Sequence, residues 1–262
     1  MSEQRQFEME IDLGHDPETV WQALTEAREL ERWFPKKASV EPQVGGRYLL
    51  SWEAGGCAFD TRIAIWEPNR RLKVSEQREQ DGKAVELAMD FTLTGRDGAT
   101  TLRLVHSGFG RGGDWDDEFD GISNGWNFEL RMLRDYLDNF RGENRHLETI
   151  VHTTELPPRE VYERIFGRQG LAAEGSIRAL PEGAAFRLMA GPDEVYHGKV
   201  FTHQPPKNFV GTLEGECSGN LRYHMDGPMV FLILSLYGDD SSRTDRFAEQ
   251  WQNRLPRLLA AK

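Results

Sequence analysis

The sequence predicts an α+β protein made of two successive domains, each a curved antiparallel β-sheet wrapped around a long C-terminal α-helix. Three observations predict it: strand signals that follow one another without intervening helices, an amphipathic helix closing each half, and the same plan written twice along 262 residues. That length suits two domains of about 100–150 residues each. The boundary is placed in the polar stretch Gly142-Glu143-Asn144, giving domains 1–142 and 143–262.

The repeat is carried by three echoes in the same order. Pro17-Glu18-Thr19-Val20-Trp21-Gln22-Ala23-Leu24 and Pro158-Arg159-Glu160-Val161-Tyr162-Glu163-Arg164-Ile165 share a Pro-x-x-Val-aromatic-x-x-aliphatic pattern. Each follows a strand signal, 7–13 in the first half and 148–155 in the second. Proline suits the first turn of a helix, where its missing N–H has no partner to lose. Gly45-Gly46-Arg47-Tyr48-Leu49-Leu50 is matched by 182–188, and the stretch Ile63 to Leu72 is matched by Val200 to Phe209.

Within the first half, Val85, Leu87, Met89, Phe91 and Leu93 alternate with polar or small residues, the period of a half-buried strand. Gly95-Arg96-Asp97-Gly98 reads as the hairpin turn, and Leu102, Leu104 and His106 share one face of the return strand. A helix follows: Trp115, Phe119, Ile122, Trp126, Leu130, Leu133, Leu137 and Phe140 recur at steps of four and three, one continuous apolar stripe. Asp114, Asp116, Asp117 and Glu118 stand at its start, where the helix dipole favours negative charge. Gly121 and Gly125 weaken it. The sequence offers two reasons to tolerate them: a close approach to the sheet, or a regular helix that begins only beyond them.

In the second half Phe247, Trp251, Leu255 and Leu258 form the closing stripe, with Ser241 or Ser242 as cap and Pro256 as a kink or interruption. The run Met229-Val230-Phe231-Leu232-Ile233-Leu234 is apolar at every position, which predicts cover on both faces by a domain–domain or homodimer contact. The segment Gly108-Phe109-Gly110-Arg111-Gly112-Gly113 reads as a flexible loop.

The net charge of −11 argues against nonspecific nucleic-acid binding, which needs a basic face, and against anionic membranes. Cys57 and Cys217 form no CxxC pair and read as reduced structural thiols. The first residues show no apolar signal core, and no apolar run is long enough to cross a bilayer, so the expectation is a cytoplasmic protein without a membrane anchor. No metal site and no cofactor are expected: the acidic run from Asp114 has Phe119 and Gly125 where a calcium loop needs Gly and Glu, and no His–Cys set has zinc spacing.

These residues resemble the homologues of the activator of heat-shock-protein-90 ATPase, a family of the START-like (SRPBCC) superfamily. The resemblance rests on Pro17-x-x-Val20-Trp21, Trp33-Phe34-Pro35, Val44-Gly45-Gly46, the strand Thr101 to Phe109, and Gly125-Trp126 with Leu130 and Leu133. The second half is more divergent. Gly198-Lys199-Val200 with Pro205-Pro206 looks like the central hairpin, while Gly167 to Gly175 stands where a second small helix is expected. The resemblance implies two helix-grip (START-like) domains with a cavity between long helix and sheet. The superfamily hosts several chemistries, so fold alone fixes none.

Trp33, Trp52, Ile65, Met89, Phe91, His106, Trp126 and Leu130 are the residues expected to line that cavity. The leading reading is a START-like protein that binds a small hydrophobic ligand there. A filled core is the alternative use of the same residues. A cyclase- or hydrolase-type enzyme is a second reading, with His106 as acid or base and Arg62 or Arg103 stabilising charge, and a chaperone-interaction module is a third. His106 serves equally as a hydrogen-bonded structural residue, and no nucleophile elbow or Ser-His-Asp set is present.

Overall fold

In a computed structural model the chain is described at residues 4–52, 54–56, 58–80, 83–171, 180–191, 194–215 and 218–260. Cys57 and Cys217 lie outside these residues. The chain divides into two compact units, Met1–Gly142 and Glu143–Lys262.

The first unit runs β1 (Arg5–Leu13), α1 (Pro17–Thr25), α2 (Ala27–Trp33), β2 (Lys37–Val40), β3 (Arg47–Ser51), β4 (Ala58–Glu67), β5 (Arg71–Gln80), β6 (Lys83–Arg96), β7 (Ala99–Phe109) and α3 (Asp114–Asn139). Its seven strands form one antiparallel sheet in the order β1-β7-β6-β5-β4-β3-β2. The two short helices carry the chain from one sheet edge to the other, and the strands then meander back to β1.

Local chemistry explains the joints. The Asp16 carboxylate accepts the Thr19 backbone N–H at 3.0 Å and the Thr19 hydroxyl at 2.9 Å, capping α1 just ahead of Pro17. Asp97 and Gly98 both have positive φ (53° and 81°), the conformation that turns β6 into β7 with the right twist. Gly108 and Phe109, expected in a loop, instead end β7, and only 110–113 connects to α3. Gly108 has φ of 99°, and a Cβ there would sit 2.0 Å from the Glu86 carbonyl oxygen, so the strand can close on β6 only with glycine.

Alternation puts Phe7, Met9 and Ile11 of β1, Leu72 and Val74 of β5, Leu87, Met89 and Phe91 of β6, and Leu102, Leu104 and His106 of β7 on one sheet face. Helix α3 lies across that face. Rings of Phe119 and Phe7, and of Trp126 and Phe91, meet at 5.7 Å and 5.6 Å. Each fully buried Leu, Met or Phe side chain is worth about 1.5–3 kcal/mol. The stripe is buried unevenly. Trp126, Leu130, Leu133 and Leu137 are buried, whereas Trp115, Phe119 and Ile122 in the first third are only half-buried.

The second unit repeats the plan: β8 (Arg145–Thr153), α4 (Pro158–Ile165), β9 (Ala185–Met189), β10 (Val195–Gln204), β11 (Asn208–Leu213), β12 (Gly219–Asp226), β13 (Met229–Tyr237) and α5 (Ser242–Leu258). Its sheet order, β8-β13-β12-β11-β10-β9, is that of the first unit with no counterpart of β2 among the described residues. Matched hydrogen bonds underlie two of the sequence echoes. Gly45 N–H donates to the Ile63 carbonyl at 2.8 Å as Gly183 N–H donates to Val200 at 2.7 Å, and Ile63 N–H returns to Gly46 as Val200 N–H returns to Ala184. Residues 166–171 run in turns rather than a second helix, and 172–175 lie outside the described residues.

Two expectations are refined here. The all-apolar run in β13 does alternate: Val230, Leu232 and Leu234 are buried, Met229, Phe231 and Ile233 half-buried. Pro256 neither interrupts nor shortens α5, because it falls inside the last turns of a helix that ends at Leu258.

Neither reason offered for Gly121 and Gly125 holds. Helix α3 runs through both, both are exposed, and a Cβ at either would meet nothing within 4 Å. Replacing each by alanine is therefore expected to raise unfolding free energy by about 1 kcal/mol, read from urea denaturation, while Gly108→Ala lowers it. No gain at Gly121 and Gly125 would mean that α3 is not regular there.

Candidate functional site: the interior beneath α3

Two aromatic groups meet α3 from the sheet side. The first is built on Phe34, at the end of α2, whose ring lies 4.8 Å from Trp33, 5.1 Å from Trp52 and 5.0 Å from Trp126. Phe91 extends it from the sheet through Trp126, and Phe59 through Trp52 at 5.7 Å. Trp33 is held by its indole N–H, which donates to the Ala23 carbonyl at 2.8 Å. Leu130 is buried one turn along α3 from Trp126, and Met89 is buried on β6 two residues from Phe91 and directly opposite His106. The group brings together Trp33, Trp52, Phe91 and Trp126 of the eight residues expected to line a cavity, with Leu130 and Met89 adjoining along α3 and β6.

Ile65 is not among them. A β-bulge shifts the register between Ile63 and Ile65, so Ile63 faces Val74, Ile65 faces Lys73 and Trp66 faces Leu72. One inserted residue reverses the alternation. Ile65 therefore turns to the outer face with Lys73, and Trp66 turns inward against Trp21 at 4.9 Å.

His106 belongs to the second group, which lies under the half-buried first third of α3. Its ring sits 5.5 Å from Phe7 and 4.8 Å from Phe109, and Phe109 in turn meets Phe119 at 5.2 Å and Trp115 at 6.2 Å. His106 is 2% exposed, and its Nδ1 is buried with no hydrogen-bond partner among the described residues. Burial, and then the charge of Arg78, push its pKa down to about 3. The imidazole is thus neutral across the physiological range.

Two arginines fasten this part of α3. Arg5 of β1 donates to the carbonyls of Gly110 (2.8 Å) and Trp115 (3.0 Å), pairs with Asp116 at 2.7 Å and lies 4.6 Å over the Phe119 ring. Arg78 of β5 joins sheet to helix, reaching Glu118 at 2.7 Å and Glu76 on its own strand at 2.6 Å. Burial alone would lower the Arg78 pKa, but the two carboxylates more than offset this.

The other proposed charge stabilisers lie elsewhere. Arg103 is on the outer face, bound to Glu8 through two hydrogen bonds of 2.6 and 2.5 Å, and Arg62 is exposed opposite Ser75. Neither shares a face with His106. A surface cleft of about 860 Å³ beside the start of α1 is lined by Asp16, Glu67, Asn69 and Arg71, and is separate from both aromatic groups. Asp16 is spent capping α1, and Arg71 pairs with Asp90 at 2.7 Å.

Sequence reasoning missed Phe34, Phe7, Phe109, Arg5, Arg78 and Glu118. One signal was available: along β5 the inward positions run Leu72, Val74, Glu76, Arg78, so the charged pair breaks an apolar face. Arg5 carried none, because its partners are more than a hundred residues away.

An antiparallel sheet packed on a long C-terminal helix, with an aromatic interior between them, defines the helix-grip class of START-like domains, and both units have that architecture. Residues 15–138 match the family described as Activator of Hsp90 ATPase homolog 1-like protein. That match lies within the first unit and spans most of it. Among solved structures, the chain is similar to a protein from Mesorhizobium loti (29% identity over 52% of this chain and 98% of that one, TM-score 0.46). It is also similar to the Aha1 dimer from Colwellia psychrerythraea (22%, 53% and 99%, TM-score 0.43). DynU16, a protein in the dynemicin biosynthetic locus, is similar over both units (19% identity, 97% of each chain, TM-score 0.43). No curated protein matches the chain. Among the described residues no helix is long and apolar enough to cross a membrane.

The state of His106 has a measurable consequence. Its folded pKa lies below the unfolded value near 6.5, so between about pH 6.5 and 3 the unfolded chain binds a proton that the folded chain refuses. Stability is therefore expected to fall on acidification through that window, by up to about 1.4 kcal/mol per pH unit from this residue alone. Urea unfolding from pH 7 to 4 checks this: His106→Leu should flatten the slope, and an unchanged slope would place the imidazole in contact with water.

Proposed function

We propose that the first unit binds a small hydrophobic molecule between α3 and the sheet, entering under the first third of the helix. One observation supports this reading above the others. Trp115, Phe119 and Ile122 lie on the inward stripe of α3 and yet stay half-buried, over a base formed by Phe7, His106 and Phe109. Large aromatic side chains left partly wet at the entrance to an apolar interior favour an apolar guest, which gains about 25 cal/mol for each Å² of surface it removes from water. The rest of the stripe is closed, so room is made by moving the part of α3 that Arg5 and Arg78 fasten.

The enzyme reading has less behind it. His106 is neutral and caged by rings, and neither Arg62 nor Arg103 shares its face. The chaperone reading has the family description alone.

Nile red, a neutral dye that brightens in apolar surroundings, tests the proposal. Titrated into the full chain it is expected to bind saturably at one site. Phe119→Asp should weaken that binding at least tenfold with the circular dichroism spectrum unchanged, because the carboxylate would have to be desolvated at the entrance. Non-saturable emission, or equal binding by the variant, would contradict the proposal.

A further inference from the structure

The polar groups around the second aromatic group restrict what the guest can be. His106 Nδ1 is buried, unpartnered among the described residues, and set among Phe7, Phe109 and, one ring further, Phe119. A buried polar atom without a partner is costly, so a guest admitted beside it is favoured if it supplies the missing hydrogen bond. The fixed charges nearby point the same way. Arg78, the charge that reaches His106, is already paired with Glu76 and Glu118, and Arg5 beside Phe119 is already paired with Asp116, so neither guanidinium is left to balance an anionic guest. The imidazole carries no charge to offset either sign. A guest bearing a full charge would be desolvated there without compensation.

We infer that the ligand is a neutral aromatic molecule carrying a hydroxyl group, its ring packed among Phe7, Phe109 and Phe119 and its hydroxyl hydrogen-bonded to Nδ1 of His106. The hydroxyl suits this position because it donates or accepts, whichever the imidazole tautomer requires. The ring suits it because aromatic pairs at offset or edge-on geometry, already used between Phe7 and Phe119, gain beyond their buried area. This inference rests on the hydrophobic-interior reading above and adds the chemistry that selects among hydrophobic guests.

Three probes of one size separate the possibilities: 2-naphthol, 2-methylnaphthalene and 2-naphthoate, each titrated into the full chain at neutral pH by calorimetry. 2-Naphthol is expected to bind about tenfold more tightly than 2-methylnaphthalene, the worth of one hydrogen bond in an apolar site, and 2-naphthoate more weakly than either. His106→Leu should erase the preference for 2-naphthol while leaving 2-methylnaphthalene unchanged, and His106→Gln, still neutral and polar, should restore part of it. Tightest binding by 2-naphthoate overturns the inference, as does a naphthol preference that survives in His106→Leu. Equal binding of 2-naphthol and 2-methylnaphthalene overturns it too, but leaves the hydrophobic interior standing. No binding by any of the three overturns both.

Discussion

The apolar stripe of α3 has to be buried, and within the first unit the inner face of the sheet is the surface that buries it. Twenty-six residues of helix present aromatic and aliphatic side chains along one side, too much apolar surface to leave in water. The sheet answers with a face of Leu, Met and Phe that the alternation of β1, β5, β6 and β7 keeps on one side. This pairing sets where the remaining parts lie: α2 and Phe34 at one end of the stripe, His106 and its rings at the other. Along the stripe the fit tightens from the half-buried Phe119 to Leu133, which is fully buried. The binding proposed for this interior belongs where the fit is loose.

The second unit shows what the same plan does when the helix is shorter. Helix α5 has 17 residues, and Phe247, Trp251 and Leu255 on its stripe are all buried. Its arginines work on closure. Arg254 donates to the carbonyls of Gln169, Gly170 and Ala190 at 2.6–2.9 Å, and Arg246 reaches the buried Glu194, which also accepts the Tyr196 hydroxyl. Buried carboxylates are tolerated only when so partnered. His203, which lies near Tyr162 (2.7 Å) and the Leu180 carbonyl (3.1 Å), likewise has partners on both ring nitrogens, unlike His106. The two units thus share a topology, and each leaves buried polar atoms without a partner among the described residues: His106 Nδ1 in the first, Ser235 Oγ and Trp251 Nε1 in the second.

Much of the architecture was legible because it rests on short-range periodicity. Steps of three and four betrayed α3 and α5, alternation betrayed β6 and β7, and Asp97-Gly98 marked the turn between them. The repeat was legible because the same backbone hydrogen bonds require glycine-containing turns at matching places. The candidate site was read in part. Trp33, Trp126 and Phe91 do meet, but through Phe34, whose position depends on where α2 ends. Ile65 was misplaced by one bulge residue, which no local pattern announces. The arginines that fasten α3 were invisible for a different reason: a guanidinium finds its carbonyls and carboxylates only after strands and helix have docked.

The central claim is that the first third of α3 is the part that gives way to admit a guest. Hydrogen–deuterium exchange on the full chain measures this directly, residue by residue. Backbone amides of 118–125 should exchange at least tenfold faster than those of 130–137, and should slow when the chain is saturated with a hydrophobic probe. Uniform protection along α3, unchanged by the probe, would contradict the account.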